Sequence, residues 1–461
     1  MDLARRLADL EIPEAMPFAL DDDGRPMAEF NLYFRMLPRL GVRSINTWKA
    51  YSLDVFRFAR FLSTSGKPLL DATIDDIEAY RKVRLLGGDN PVGEQTWTRE
   101  VVALEGFYRW AVTKGLIAEQ PFVYRQTGQR CRNTAKSRRR LDRDVRSLSF
   151  DQFVFFRNVG LRGLLPDGSS DTRFIGQHRL RNTLFADLLV TTGLRLEEAS
   201  TLLACEIPVG DAHERSAVIR LGDFTAKGNK PRDVRLPARL VRSLAFYLRS
   251  ERSFVVARAN EQQSITAWAG AAWRCQWAEP RISVTGSFRG PAGSVKVARL
   301  LPAERLRLVV DHKGSLEPIA LFVGQAGRPL QPEAWERVFQ RASERCASFE
   351  AAPGVPPMPR SVTPHLLRHS YAVHTLRELV RDQIRQETGR QAGGDTPGIT
   401  ALRHIAGNPV RILQKLLGHS QVSTTYIYLD SLDDTNAAVD AAVASWSEDL
   451  DYDDIAVGHP T

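Results

Sequence analysis

A mainly α fold with a small antiparallel β-sheet (α+β) is predicted by three features of the sequence. Apolar residues recur at spacings of three and four over most of the chain, one segment alternates around a hairpin signal, and capping residues precede several helical stretches. At 461 residues the chain is longer than one hydrophobic core usually serves, so two domains with a linker are expected.

Residues 1–27 hold Pro13, Pro17, three aspartates at 21–23 and Gly24, with no sustained period, and read as an N-terminal arm. From 28 to 126 the pattern is helical. Trp48, Tyr51, Val55, Phe58, Ala59 and Leu62 share one face, with Arg43, Lys49, Arg57 and Arg60 off it. Thr73 with Asp76 resembles a capping box opening a second helix through Arg84. A third helix is predicted from Thr96 to Lys114, with Gly115 placed to end it. Between 127 and 148 lie Arg130, Arg132, Lys136, Arg138, Arg139, Arg140 and Arg143 with few apolar residues, which reads as an exposed basic linker.

A larger second domain is expected at 149–430. Arg179–Thr192 predicts an apolar helix that Gly193 interrupts and Leu196–Leu203 resumes. Ala217–Phe224 alternates as a strand, Lys227-Gly228-Asn229-Lys230 forms the turn, and Asp233–Leu236 returns. Helices are predicted at about Ala238–Ala257 and at Pro332–Cys346, the latter after a short strand at Ile319–Val323. Two more begin at Pro364 and Pro409, behind Thr363 and Asn408 as caps. Segments at about 260–316 and 381–407 lack a clear period and read as insertions. The stretch 431–461 is an acidic tail, in which Ala437, Val439, Ala442, Val443 and Trp446 form a helical strip that docks either on its own domain or on a neighbouring copy.

Charge is unevenly distributed. No Lys or Arg follows Leu416, whereas nine acids do, so residues 1–415 hold 63 basic against 45 acidic side chains. Such a body attracts polyanions, nucleic acid foremost; an inert basic surface is the plain alternative. No run approaches the roughly 18 apolar residues of a membrane span, and the start of the chain lacks a signal-peptide core, so a cytoplasmic protein without a membrane partner is expected. Four dispersed cysteines without a CxxC pair favour neither a disulfide framework nor a zinc site.

Four separated segments carry unusual polar residues beside apolar helix faces: TTGLRLEEAS at 191–200, TAKGNK at 225–230, TPHLLRHS at 363–370 and LLGHSQVSTTYIYL at 416–429. Three positions apart at a helix start, His365 and Arg368 project from one face near the positive helix end, a placement that suits an anion. Read singly, each has a structural explanation: an ion pair of Arg195 with Glu197 or Glu198, a satisfied His365, a solvated Lys227, a core Tyr428. His365 and His369 also stand four apart, as in zinc proteases, but Leu366 occupies the place where that motif requires its Glu, and no third ligand is apparent.

Together and in this order, the four segments resemble the tyrosine recombinase (phage integrase) family, whose signature runs Arg, Lys, His-x-x-Arg, His, Tyr. The similarity extends over roughly residues 28–440. It implies an N-terminal helical core-binding, SAM-like domain at 28–126 and a catalytic domain at 149–430, forming a C-shaped clamp on double-stranded DNA. It also implies a site-specific recombinase that works as a homotetramer on paired sites with no cofactor and no metal, with DNA-bending accessory factors as possible partners and the nucleoid as its place of action. The catalytic set is then Arg195, Lys227, His365, Arg368, His419 and Tyr428. Tyr428 is the nucleophile that leaves a 3'-phosphotyrosyl link, His365 its proton acceptor, Arg195 and Arg368 the phosphate grip, His419 a further donor and Lys227 the acid for the departing 5'-oxygen. Glu198 matches the acidic position after the first Arg and is expected to organise it. Arg43, Lys49, Arg57, Arg130, Arg132, Arg138, Arg139 and Arg140 are the expected DNA-backbone contacts. Tyr426, two residues away on a helix, faces elsewhere than Tyr428.

Beyond the class, the inserted segments and the shortness of residues 1–27 favour an integrase or transposase of a mobile element. A dimer-resolving recombinase, a type IB topoisomerase-like relaxase and a DNA-binding protein that has lost cleavage are the alternatives; a nucleoid protein would leave the order of the four segments unexplained.

Overall fold

The computed structural model describes residue 12 and residues 16–429, except 22, 43, 88–90, 128–129, 137–145, 209–215, 227–229, 270–272, 278–286, 291–292, 313 and 392–406. Most of the N-terminal arm and the whole acidic tail with its strip, as well as Arg43, Lys227 and Arg138–Arg140, therefore lie outside the described residues. The chain divides into two compact units, Met1–Asp142 and Arg143–Thr461.

Among its described residues the first unit holds four α-helices, α1 (Ala28–Met36), α2 (Ile45–Ser63), α3 (Ile74–Leu86) and α4 (Glu94–Thr113), followed by a hairpin of β1 (Tyr124–Thr127) and β2 (Arg130–Asn133). Helix α2 buries Trp48, Val55, Phe58, Ala59 and Leu62, the face its spacing predicts. At the start of α3 the Thr73 hydroxyl accepts from the Asp76 backbone while the Asp76 carboxylate accepts from Thr73, so two orphan N–H groups are satisfied reciprocally. The core is aromatic: Tyr33 meets Phe107 edge-on at 5.4 Å between ring centres, and Trp97 is fully buried with its indole N–H donated to the Ala135 carbonyl. That bond, with Lys136 on Glu105 at 2.5 Å, ties the start of the expected linker to this core. Residues 130–136 thus pack with the first unit, with Cys131, Arg132 and Thr134 exposed on its surface.

In the second unit a capped helix α5 (Phe150–Phe155) runs into one π-helical stretch, Phe156–Leu161. The core forms around α6 (Arg179–Thr192), where Phe185 stacks on Trp335 with ring centres 3.6 Å apart. After the five-residue α7 (Leu196–Ser200), an antiparallel hairpin pairs β3 (Ser216–Leu221) with β4 (Arg232–Pro237). The single helix expected from Ala238 is two, α8 (Ala238–Arg249) and α9 (Glu251–Glu261), because Ser250 at φ −110°, ψ −99° breaks the hydrogen-bond ladder without disturbing the apolar period.

The described residues of the first expected insertion form regular structure. After α10 (Ser264–Ala269), it contributes β5 (Trp273–Trp277), β6 (Ser287–Gly290), β7 (Gly293–Lys296), β8 (Leu308–His312) and β9 (Ser315–Pro318) to a sheet of order β7-β6-β5-β8-β9, parallel only between β5 and β8. The strand expected at Ile319–Val323 is reduced to isolated bridges, Leu203 with Ala320 and Val323 with Pro329. Helix α11 (Pro332–Ala347) follows. Helix α12 (Pro364–Gln391) starts where Thr363 accepts from the Leu366 backbone, and it continues through the first residues of the second expected insertion. Asn408 caps α13 (Pro409–Leu417), and a single turn, α14 (Ser423–Tyr426), precedes Tyr428. Among the described residues no helix is long and apolar enough to cross a membrane.

Candidate active site

Gly193 ends α6 in the left-handed region at φ +63°, and a Cβ there would collide with the Tyr371 ring at 2.3 Å, so only glycine turns the chain here. The turn delivers Arg195 to the N-cap of α7. Glu198, one turn on, accepts from the Arg195 backbone at 2.8 Å and from its guanidinium at 3.1 Å. This carboxylate is 1% exposed and is also gripped in a fork by Arg232, at 3.0 and 2.6 Å. Burial alone would raise its pKa; the Arg232 hydrogen bonds and charge, joined by Arg195, instead hold it down at about 2.

Arg368, on the first turns of α12, is 3% exposed. It donates to the Gly193 carbonyl and, at 2.6 Å, to the Leu417 carbonyl, joining the ends of α6 and α13. Burial, with the charges of Arg195 and Arg232, lowers its pKa to about 10, which still leaves it a cation at neutral pH. Gly418 then takes φ +65°, close enough to Arg232 that a Cβ would stand 3.1 Å from its Cδ. His419 follows from this turn, its Nδ1 3.0 Å from the Thr425 hydroxyl. Burial first, then the nearby Arg368 and Arg195, push its pKa down to about 4, so the imidazole is neutral at physiological pH.

Tyr428 is 2% exposed, with its ring nearly parallel to that of His419 and 6.3 Å away. Its hydroxyl lies 3.0 Å from Nδ1 of His369. Burial raises the phenol's pKa, opposed by the Arg368 and Arg195 charges. Tyr426, in contrast, is 53% exposed. His365 is exposed, and its ring stands 4.3 Å from that of His369 at 74°.

Five of the six expected catalytic side chains, Arg195, His365, Arg368, His419 and Tyr428, are thus linked through a short series of contacts. The sixth, Lys227, lies outside the described residues, in the β3–β4 connection. Two further side chains meet these groups without being singled out by the motifs: Arg232, at the start of β4, packs against Glu198, and His369, which the sequence offers only as a possible partner of His365, meets Tyr428. Of the expected DNA contacts, Lys49 and Arg132 are exposed, Arg57 is half-exposed beside Asp54 at 3.4 Å, and Arg130 lies on β2.

A chemistry built on a phenol beside arginines and imidazoles suits transesterification at a phosphate, and the comparisons with known proteins agree. Residues 30–115 match the family described as phage integrase, N-terminal SAM-like domain, and residues 170–389 match the phage integrase family. The chain is 26% identical over 390 residues to the tyrosine recombinase XerD of Mycobacterium tuberculosis, covering 83% of this chain and 86% of that one. It is 25% identical over 392 residues to the tyrosine recombinase XerC of Rhodospirillum centenum, covering 84% and 78%. Among solved structures it is similar to XerH site-specific recombinase bound to a palindromic difH substrate, with TM-score 0.47, 16% identity, and 91% and 85% of the two chains covered. It is also similar to the Tn1549 transposon integrase with circular intermediate DNA, with TM-score 0.45, 14% identity, and 87% and 94% covered. The protein belongs to the tyrosine recombinase (phage integrase) family and is a site-specific recombinase, an enzyme that breaks and rejoins DNA.

Proposed function

We propose that Tyr428 is the nucleophile and that Arg195, Lys227, His365, Arg368 and His419 complete the reaction centre. The phenol oxygen attacks the phosphorus of a DNA phosphodiester, its proton passes to His365, and the 5'-oxygen leaves with a proton from Lys227. The product is a 3'-phosphotyrosyl link whose bond energy is retained for rejoining. Arg195 and Arg368 hold the nonbridging oxygens as charge builds on them. Arg368 has five N–H donors, and two are directed at carbonyls in the Gly193 and Leu417 turns, which fixes the guanidinium before substrate arrives. His419, neutral at working pH, donates one further hydrogen bond.

The observation that carries this reading is the chain of contacts from Gly193 through Arg368 to Leu417, and from His419 to Tyr428. The turn leading to Arg195, the start of α12 with Arg368 and the segment with His419 and Tyr428 are thus held near one another although the sequence separates them widely. On nicked suicide DNA, Tyr428→Phe should abolish the detergent-stable protein–DNA adduct, whereas Tyr426→Phe keeps it; the reverse result overturns the assignment.

The enzyme acts on double-stranded DNA in the cytoplasm, on the nucleoid, as a homotetramer at paired sites with accessory bending factors, and serves as the integrase or transposase of a mobile element. The segment at 260–316, which adds its own sheet to the catalytic unit, supports a specialised role. Sequencing the DNA covalently trapped in cells tests it: adducts at the ends of one element are expected, and adducts at a single chromosomal site assign it to dimer resolution instead.

A further inference from the structure

The assignment of Tyr428 as nucleophile leaves open what aims its oxygen. Tyr428 follows a helix of one turn, and its backbone N–H is bonded only locally, to the Thr425 carbonyl at 3.1 Å. The ring is enclosed by Ala372, Val373, Leu376, Leu413 and Leu417, an apolar cluster that grips the ring but offers the hydroxyl nothing. A phenol hydroxyl buried in such surroundings needs a polar partner, and the partner present is Nδ1 of His369. The two rings are tilted by 51° with centres 5.6 Å apart, so the contact is made ring edge to hydroxyl. His369 is next in sequence to Arg368 and one helical turn beyond His365. Its ring therefore holds the Tyr428 oxygen at the start of α12, where the phosphate grip and the proton acceptor are also mounted.

We infer that His369 is a positioning residue, which fixes the direction of the Tyr428 hydroxyl toward the reacting phosphate and thereby singles out this tyrosine from Tyr426. The inference rests on the reading of Tyr428 as nucleophile. It requires a polar atom where Nδ1 stands and no proton transfer by His369 itself.

The full-length protein and nicked suicide DNA test it. An Asn carboxamide places a polar atom near the Nδ1 position, Gln places one near Nε2, and Ala places none. His369→Ala should slow single-turnover adduct formation by about 10- to 100-fold, as expected for a displaced reacting group, while binding the same DNA with unchanged affinity. His369→Asn should recover most of the rate, to within about threefold of the parent, and His369→Gln should stay slow. Adduct formation by the Ala variant at the parental rate overturns the inference, and so does an Asn variant as slow as Ala or Gln with DNA affinity and thermal stability intact. If the Ala variant fails to fold, the Asn and Gln pair carries the test, and equal rates for the two overturn it. Tyr428→Phe is measured alongside: a persisting adduct there removes the nucleophile assignment, whereas its loss beside a fully active Ala variant removes only the role of His369.

Discussion

The two units bury opposite charges. Among the described residues, the buried charged side chains of the first unit are the acids Asp54, Glu100 and Glu105, whereas those of the second unit are Arg181, Arg232, Arg252, Arg305 and Arg368 with only Asp171 and Glu198 as acids. In the first unit the cationic partners stay toward water: Arg99, on Asp54 at 2.9 Å, keeps 44% of its side chain exposed, and Arg84, on Glu100 at 2.5 Å, keeps 21%. In the second unit the guanidinium groups lie inside and bind backbone carbonyls of distant turns, Arg181 on Val323, Arg305 on Thr201 and Arg368 on Leu417. A helical scaffold needs only neutralised acids between its helices, and its cations remain available to a polyanion. A site assembled from turns needs donors that can hold several carbonyls in fixed directions, and the five-donor fork of arginine provides them.

The largest test of this contrast is Glu198→Gln. Removing one partner of a buried ion pair leaves the other charge uncompensated, so a loss of about 3–5 kcal/mol in unfolding free energy is expected, together with loss of adduct formation as Arg195 loses its anchor. The pH dependence has a definite sign. Glu198 has its folded pKa depressed from 4.5 to about 2, so its contribution is complete above about pH 4.5 and drains away as the pH falls toward 2. Acid titration of the parent should therefore be steeper over that window than that of the Gln variant, and equal slopes would contradict the assignment.

Asp54→Asn makes the matching change in the first unit and should matter less. Burial raises the Asp54 pKa against the opposing pull of Arg99, so its ionised form is already held at a cost, and the cations left behind are half-exposed and hydrated. A stability change within about 1 kcal/mol in chemical denaturation is expected; a loss as large as that for Glu198→Gln would erase the difference between the units. The smallest effect belongs to Lys49→Ala. Lys49 is exposed on α2, and if it meets a phosphate, its removal should lower the slope of log affinity against log salt by about 1 while leaving adduct chemistry unchanged. An unchanged slope takes Lys49 off the DNA-facing surface.

Legibility in the sequence followed the range of the interactions involved. The buried face of α2 and the Thr73–Asp76 capping box were readable because both arise within a few residues. The five-stranded sheet was not, because its order places β5 between β6 and β8, and no local spacing encodes a partner so far along the chain. The break at Ser250 was hidden for a related reason: the apolar period of α8 carries on into α9, and only the backbone angles depart. In the site, Arg195, Arg368, His419 and Tyr428 could be picked out as a set through the order of their motifs. Arg232 could not, since an arginine beginning a strand looks the same whether water or a carboxylate receives it.

By itself, then, the sequence determined the helical character, the caps and the hairpin, all of which follow from side-chain chemistry and short-range spacing, and through its resemblance to the family it supplied the groups proposed to react. The tertiary structure decided which group serves which. That Arg232 meets Glu198 across 34 residues, and His369 meets Tyr428 across 59, is settled by how the helices and turns pack, because electrostatic and hydrogen-bond energies depend on separation in space and not along the chain.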